Sequence, residues 1–279
     1  MSNHNGSVRE ALRVQPGVVN LAGYDTAATP LAPGSKAKTL KDAAALGPEL
    51  AGQQERLWAE GTRSVLLVLQ GMDTSGKGGV VTHVVGLLGP EGVKVTAFKK
   101  PTAEEMAHHF LWRIRRALPG PGIVGVFDRS HYEDVLVPRV HESVPEAEWR
   151  HRYEEINAFE AELATAGTTV VKCFLHLSYA EQRERLLARL DDPTKHWKFH
   201  ESDIDERAYW TDYQAAYADL LEQCSTEVAP WHIVPSDRKW YRNWAIGQIV
   251  REVFTELDPQ YPGADLDVPR LRKRLEPPY

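Results

Sequence analysis

One short stretch limits what this chain can fold into more than any other. Residues 65–79 read VLLVLQGMDTSGKGG, an apolar run followed by a glycine-rich loop, and a helical pattern continues through GKGGVVTHVVGLL. A buried strand that runs through such a loop into a helix aims loop N–H groups and the positive helix end at an anion. Gly71, Gly76 and Lys77 fit the phosphate-loop pattern G-x-x-x-x-G-K. The Ser or Thr that should come next, and hold magnesium, is Gly78, while Asp73 stands inside the loop. A carboxylate is a suitable hard ligand for magnesium, so Asp73 is the candidate replacement. The plainer alternative is that Asp73 caps a turn. Met72, Thr74, Ser75 and Gly79 complete the expected cradle.

Apolar runs at 93–98, 123–128, 170–177 and 231–235 add four more strands, and patterns of helical spacing separate them. Residues 102–117 and 145–166 read as single helices, and a last one covers roughly 238–257. Strands alternating with helices predict an α/β fold: a three-layer αβα domain around a five-stranded, mainly parallel sheet. The stretch 178–229 is too long for one crossover and predicts an insert of two helices joined by a loop. The expected domain spans 40–258, preceded by an extended arm (1–39) with little core and followed by a charged, proline-rich tail (259–279). Gly47-Pro48 is expected to interrupt the helical pattern of 40–60.

The net charge of −6 argues against a general nucleic-acid binder. No apolar run approaches about 18 residues, so no membrane contact is expected. The first residues lack the apolar core of a secretory signal. Cys173 and Cys224 suit neither a disulfide framework nor a metal knuckle. The expected compartment is the reducing cytoplasm.

The third strand runs into FDRSHYEDV, at the sheet edge where α/β folds bind ligands. Asp128 stands where phosphate-loop enzymes carry a second metal-holding acid, and Arg129 suits transition-state charge. Glu133 suits a nucleotide base or metal-bound water. A salt-bridged strand end is the alternative. His108 and His109 are adjacent and face different ways, so they read as ordinary helix positions.

The insert opens with a capping box, Ser178 and Glu181, and places Arg185 and Arg189 on one helical face. Lys195 and Lys198 follow on a loop around Trp197. An insert here often serves as a lid that shuts out water. These four cations suit a chain of phosphates. Lys100 and Arg113 are weaker candidates for the opposite wall.

Taken together, GMDTSGKGG, KPTAEEMAHHFLWR, FDRSHYEDVLVPRVH, EQRERLLARLDDPTKHWKF and APWHIVPSDRKWYRNW resemble the family-2 polyphosphate kinases, over about residues 40–258. The resemblance implies a thymidylate-kinase-like fold with a helical lid. It also implies reversible phosphoryl transfer between inorganic polyphosphate and nucleotides, dependent on Mg2+ or Mn2+, in a homo-oligomer (dimer or tetramer). By position, Asp73 would bind metal and orient the attacking phosphate, with Asp128 as its metal partner. Lys77 and Arg129 would stabilise the transferring group, and Arg185, Arg189, Lys195 and Lys198 would bind polyphosphate. SHYEDVLV resembles the subgroup that accepts AMP and ADP, although that subgroup usually has Asn at position 128. The acceptor nucleotide is expected on the loop and polyphosphate under the lid. An ATP-dependent nucleoside monophosphate kinase and a non-catalytic phosphate-loop module are the alternatives.

Overall fold

The structure describes residues 6–276. In this computed structural model the apolar runs form one sheet of β1 (Ser64–Gln70), β2 (Val93–Ala97), β3 (Val124–Asp128), β4 (Thr168–His176) and β5 (Trp231–Pro235). The strand order is β2-β3-β1-β4-β5 and every pairing is parallel. α1 (Val8–Leu12) and α2 (Lys36–Glu60) precede the sheet. Between β1 and β4 come α3 (Lys77–His83), α4 (Ala103–Met106), α5 (Leu111–Ala117), α6 (Glu133–Val140) and α7 (Glu146–Thr165). The insert holds α8 (Tyr179–Leu190), α9 (Ser202–Asp205) and α10 (Trp210–Cys224); α11 (Lys239–Leu257) and α12 (Val268–Leu275) follow β5.

β1 is central and buried along its whole length, as a continuous apolar run requires. Its side chains alternate between two cores. Leu66 and Val68 join Ile114, Ile156, Phe159 and Leu220 on one face. Val65, Leu67 and Leu69 join Leu50, Val80, Trp244 and Ile249 on the other. The register pairs Leu69 with Asp128 and Gln70 with Phe174. The loop after β1 therefore leaves the sheet beside the end of β3, and Arg129 N–H donates to Leu69 O at 3.1 Å.

Three local expectations are corrected. The described part of the 1–39 arm contributes core: Val8 and Leu12 pack in one layer, and Val14, Val19 and Leu21 in the other. Glu252 holds it by accepting from Val8 N (2.9 Å) and Arg9 N (3.1 Å), and Val14 N donates to Trp231 O. Residues 1–5 and 277–279 lie outside the described residues. Pro48 lies inside α2 rather than interrupting it. A mid-helix proline costs about 3 kcal/mol, and burial of Leu46, Leu50 and Leu57 offsets this at about 1.5–3 kcal/mol each.

The helix expected over 102–117 is broken into α4 and α5. Thr102 and Glu105 close a capping box at the first, and His108 stacks on Trp112 at 4.2 Å beyond the break. His109 reaches Glu155 at 2.8 Å. The tail also carries an unexpected helix, α12, with no buried residue.

Candidate active site

The loop after β1 takes its shape from backbone requirements that the sequence meets. A Cβ at Gly71 would lie 2.8 Å from Leu175 O, so only glycine lets the chain pass β4 there. Thr74 (φ +63°) and Gly76 (φ +106°) are left-handed and turn the loop into α3. Met72 was expected in the cradle, but its side chain is buried in the apolar core, which leaves only its backbone at the loop. Lys77 folds back so that Nζ donates to Gly71 O at 2.7 Å. Burial, followed by repulsion from Arg129, lowers its pKa below the usual lysine value. The hydroxyls of Thr74 and Ser75 are buried and have no hydrogen-bond partner in the protein. Such groups normally find one, and a phosphate oxygen suits them. A side chain at Gly78 would meet nothing within 4 Å, so the missing hydroxyl reflects no lack of room.

The end of β3 faces this loop. Arg129 (φ +64°) turns out of the strand and donates to Asp73 Oδ1 at 2.7 Å. Burial acts to lower the Arg129 pKa, but Glu133, Asp73 and Asp128 together raise it above the ordinary arginine value. Gln70 closes the arrangement. It accepts from Ser130 Oγ at 3.2 Å and donates to Glu133 Oε1 at 2.9 Å.

Beneath it, His131 and Tyr132 point into the core rather than at a ligand. Lys172 Nζ donates to Glu160 (2.5 Å), Tyr132 OH (2.8 Å) and Cys224 O (2.7 Å), and all four side chains of His131, Tyr132, Glu160 and Lys172 are fully buried. Burial opposes the Glu160 charge, yet Lys172 and His131 prevail and hold its pKa below the usual value. This network ties the site loop to β4, α7 and the end of α10.

Arg185 and Arg189 both line a cleft beside the loop, as their spacing predicts. Their guanidinium groups are not free, however. Arg185 is buried and donates to Glu181, Thr74 O, Ser75 O, Ser236 O and Asp237 O, which uses every arm of the fork. It is therefore a strut between α8 and the loop as well as a source of charge. Arg189 donates to Lys198 O at 3.0 Å, Lys195 pairs with Asp192 at 2.6 Å, and Lys198 lies over Trp197.

Two residues of this cleft escaped the sequence reading, Lys239 and Arg242 of α11. Arg242 donates to Ser75 O at 3.0 Å, and its guanidinium lies where a Cβ on Gly76 or Gly79 would be. That contact explains both glycines. Burial, then the Arg185 charge, lowers the Arg242 pKa to about 9. The cleft has a volume of 360 Å³. Arg185, Arg189, Lys195, Lys198, Lys239 and Arg242 line it together with Thr74, Gly76 and Gly79, and no carboxylate does. Gln182, also missed, fastens α8 to Asp73 O at 3.1 Å.

On the opposite side Lys100 is exposed after β2. Arg113 is buried and committed to Lys99 O (3.0 Å) and Asp134 (3.1 Å), so it is a structural clamp. Among the described residues, no three His, Cys, Asp or Glu side chains form a closed cation cage. Magnesium needs only one or two carboxylates alongside water and substrate phosphate. Asp73 and Asp128, both acting on Lys77 and Arg129, fit that kind of site.

A family model described as polyphosphate kinase 2 matches residues 34–261. The chain is 45% identical over 251 residues to an AMP/ADP-polyphosphate phosphotransferase of Meiothermus ruber, covering 90% of this chain and 94% of that one. It is 44% identical to an ADP-polyphosphate phosphotransferase of Rhodopseudomonas palustris, covering 81% of each. The crystal structure of polyphosphate kinase 2 from Arthrobacter aurescens superimposes with a TM-score of 0.94 at 50% identity, covering 97% and 96% of the two chains.

Proposed function

The chain belongs to the polyphosphate kinase 2 family, and from that premise we propose how its residues carry out the reaction. The enzyme transfers a phosphoryl group between inorganic polyphosphate and AMP or ADP. The observation that carries our assignment of sites is the cleft between loop and insert, which six cations line without a carboxylate. Polyphosphate is a repeating anion with neither base nor ribose, so a row of cations suits it in any register. The cleft touches Thr74, Gly76 and Gly79. We therefore assign polyphosphate to the loop and lid, which revises the expectation that the acceptor lies on the loop. The nucleotide then approaches from the β2–β3 side, past Lys100, Asp128 and Glu133.

An oxygen of the nucleotide's terminal phosphate attacks the terminal phosphorus of the chain, and the bond to the next bridging oxygen breaks. The shortened polyphosphate keeps the electron pair, and the reverse step regenerates it. Positioning and charge neutralisation are the main requirements. Lys77 and Arg129 neutralise the transferring group, and Arg129 is held in place by Asp73. Asp73 and Asp128 would hold Mg2+ or Mn2+, which supplies further charge neutralisation across the phosphates. Residues 178–229 act as a lid that keeps water out.

The enzyme acts in the cytoplasm as a homo-oligomer, a dimer or tetramer. Free, buried Cys173 and Cys224 are in keeping with a reducing compartment, and no described helix is long and apolar enough to cross a membrane. Lys195→Ala/Lys198→Ala tests the assignment. The KM for polyphosphate should rise about tenfold while the KM for AMP stays put. A change confined to the AMP KM would overturn it.

A further inference from the structure

A second groove, of 580 Å³, lies between the start of α2, the end of α3 and the start of α11. It shares His83, Lys239 and Asn243 with the basic cleft, so the two form one continuous depression. Lys36 and Arg238 stand on its walls and, with Lys239, form no side-chain hydrogen bond or ion pair among the described residues. The two carboxylates on the groove are already engaged. Glu181 accepts from Arg185 at 2.8 Å. Asp237 accepts from Ser178 N and from the Thr26 hydroxyl. Crowding points the same way: burial lowers the Lys239 pKa, and Arg185, Arg242 and Lys195 lower it further. A polyanion bridging the two depressions would relieve that repulsion.

Resting on the polyphosphate assignment above, we infer that this groove is a distal track for the donor chain. Phosphates beyond those in the basic cleft continue past His83 and Lys239 to Lys36 and Arg238. A short oligomer fills only the basic cleft. A long chain gains the distal cations as well, so the track favours long donors. The apolar stretch of wall formed by Leu40, Ala43 and Leu87 adds no specificity for phosphate but keeps the path open.

The test is Lys36→Ala/Arg238→Ala, two exposed positions outside the catalytic loop. KM is measured with long-chain polyphosphate and with the shortest size fraction that the wild type turns over. For the long chain KM should rise about tenfold, since each exposed contact contributes up to about 1 kcal/mol. Its salt dependence should fall by about one power of salt concentration per cation removed. For the short fraction KM should stay within twofold of wild type. An unchanged long-chain KM, or an equal rise for both fractions, overturns the track. Wild-type turnover of polyphosphate is the baseline, so failure of the donor assignment itself would show before any variant is made.

Discussion

Gly76 and Gly78 are two residues apart in the phosphate loop, and the structure predicts opposite responses to alanine. At Gly76 φ is +106° and a Cβ would sit 1.8 Å from Arg242 Nη1 and 2.4 Å from its Cζ. Although that is the end of a long side chain, Arg242 is only 2% exposed and is bonded to Ser75 O and the Asn243 side chain. It can yield only by breaking the bond to Ser75 and swinging into the cleft. A left-handed alanine costs about 1–2 kcal/mol, and a lost charged hydrogen bond about 1.5–3 kcal/mol. Gly76→Ala should therefore lose about 2.5–5 kcal/mol and raise the KM for polyphosphate, whose path the displaced guanidinium enters.

At Gly78, in the first turn of α3, the added methyl meets nothing. Gly78→Ala should leave stability unchanged or raise it by up to about 1 kcal/mol. Urea unfolding followed by circular dichroism, with initial rates at varied polyphosphate, checks both. Equal losses in the two variants, or a Gly76→Ala protein within about 0.5 kcal/mol of wild type, would refute the reasoning.

Further predictions concern catalysis and acid stability. Asp73→Asn and Lys77→Ala should each lower kcat at least about a hundredfold with the fold retained, as for a lost transition-state donor or its orienting partner. Wild-type turnover in either variant removes that residue from the chemistry. His232 is buried on β5, where burial chiefly, and then Arg9, Arg13 and Lys172, lower its pKa from 6.5 to about 4. The unfolded chain binds this proton first as pH falls. The contribution to stability is thus complete above pH 6.5 and is lost, to the extent of about 3 kcal/mol, on acidification towards pH 4. Replacing His232 with Gln should flatten that part of the curve, and an unaltered acid slope would show that the proton is taken up elsewhere.

The strands were legible because each is a short apolar run bounded by turn residues, and β1 with its glycine loop fixed where the site had to be. The strand order was not legible, since the pairing of β1 with β3 and β4 depends on contacts far apart in the chain. The arm was misread because Val8, Leu12, Val14, Val19 and Leu21 follow no helical or strand period, although all five are buried. Arg185 and Arg113 were visible as charges. Their commitment to backbone carbonyls was not, because a sequence shows no geometry for a guanidinium fork. Arg242 left no local signal. Its purpose is to fill the space beside two glycines more than 160 residues away, one of them bridged through Ser75 O (167 residues apart).

The central claim is that polyphosphate is the phosphoryl donor. The direct measurement supplies the purified protein with magnesium, AMP and long-chain polyphosphate as the sole donor and follows nucleotides by chromatography. The account predicts that ADP and then ATP accumulate, and that added salt slows the reaction by loosening the donor. No nucleotide product from polyphosphate, with ADP formed readily when ATP is offered to AMP instead, would contradict it.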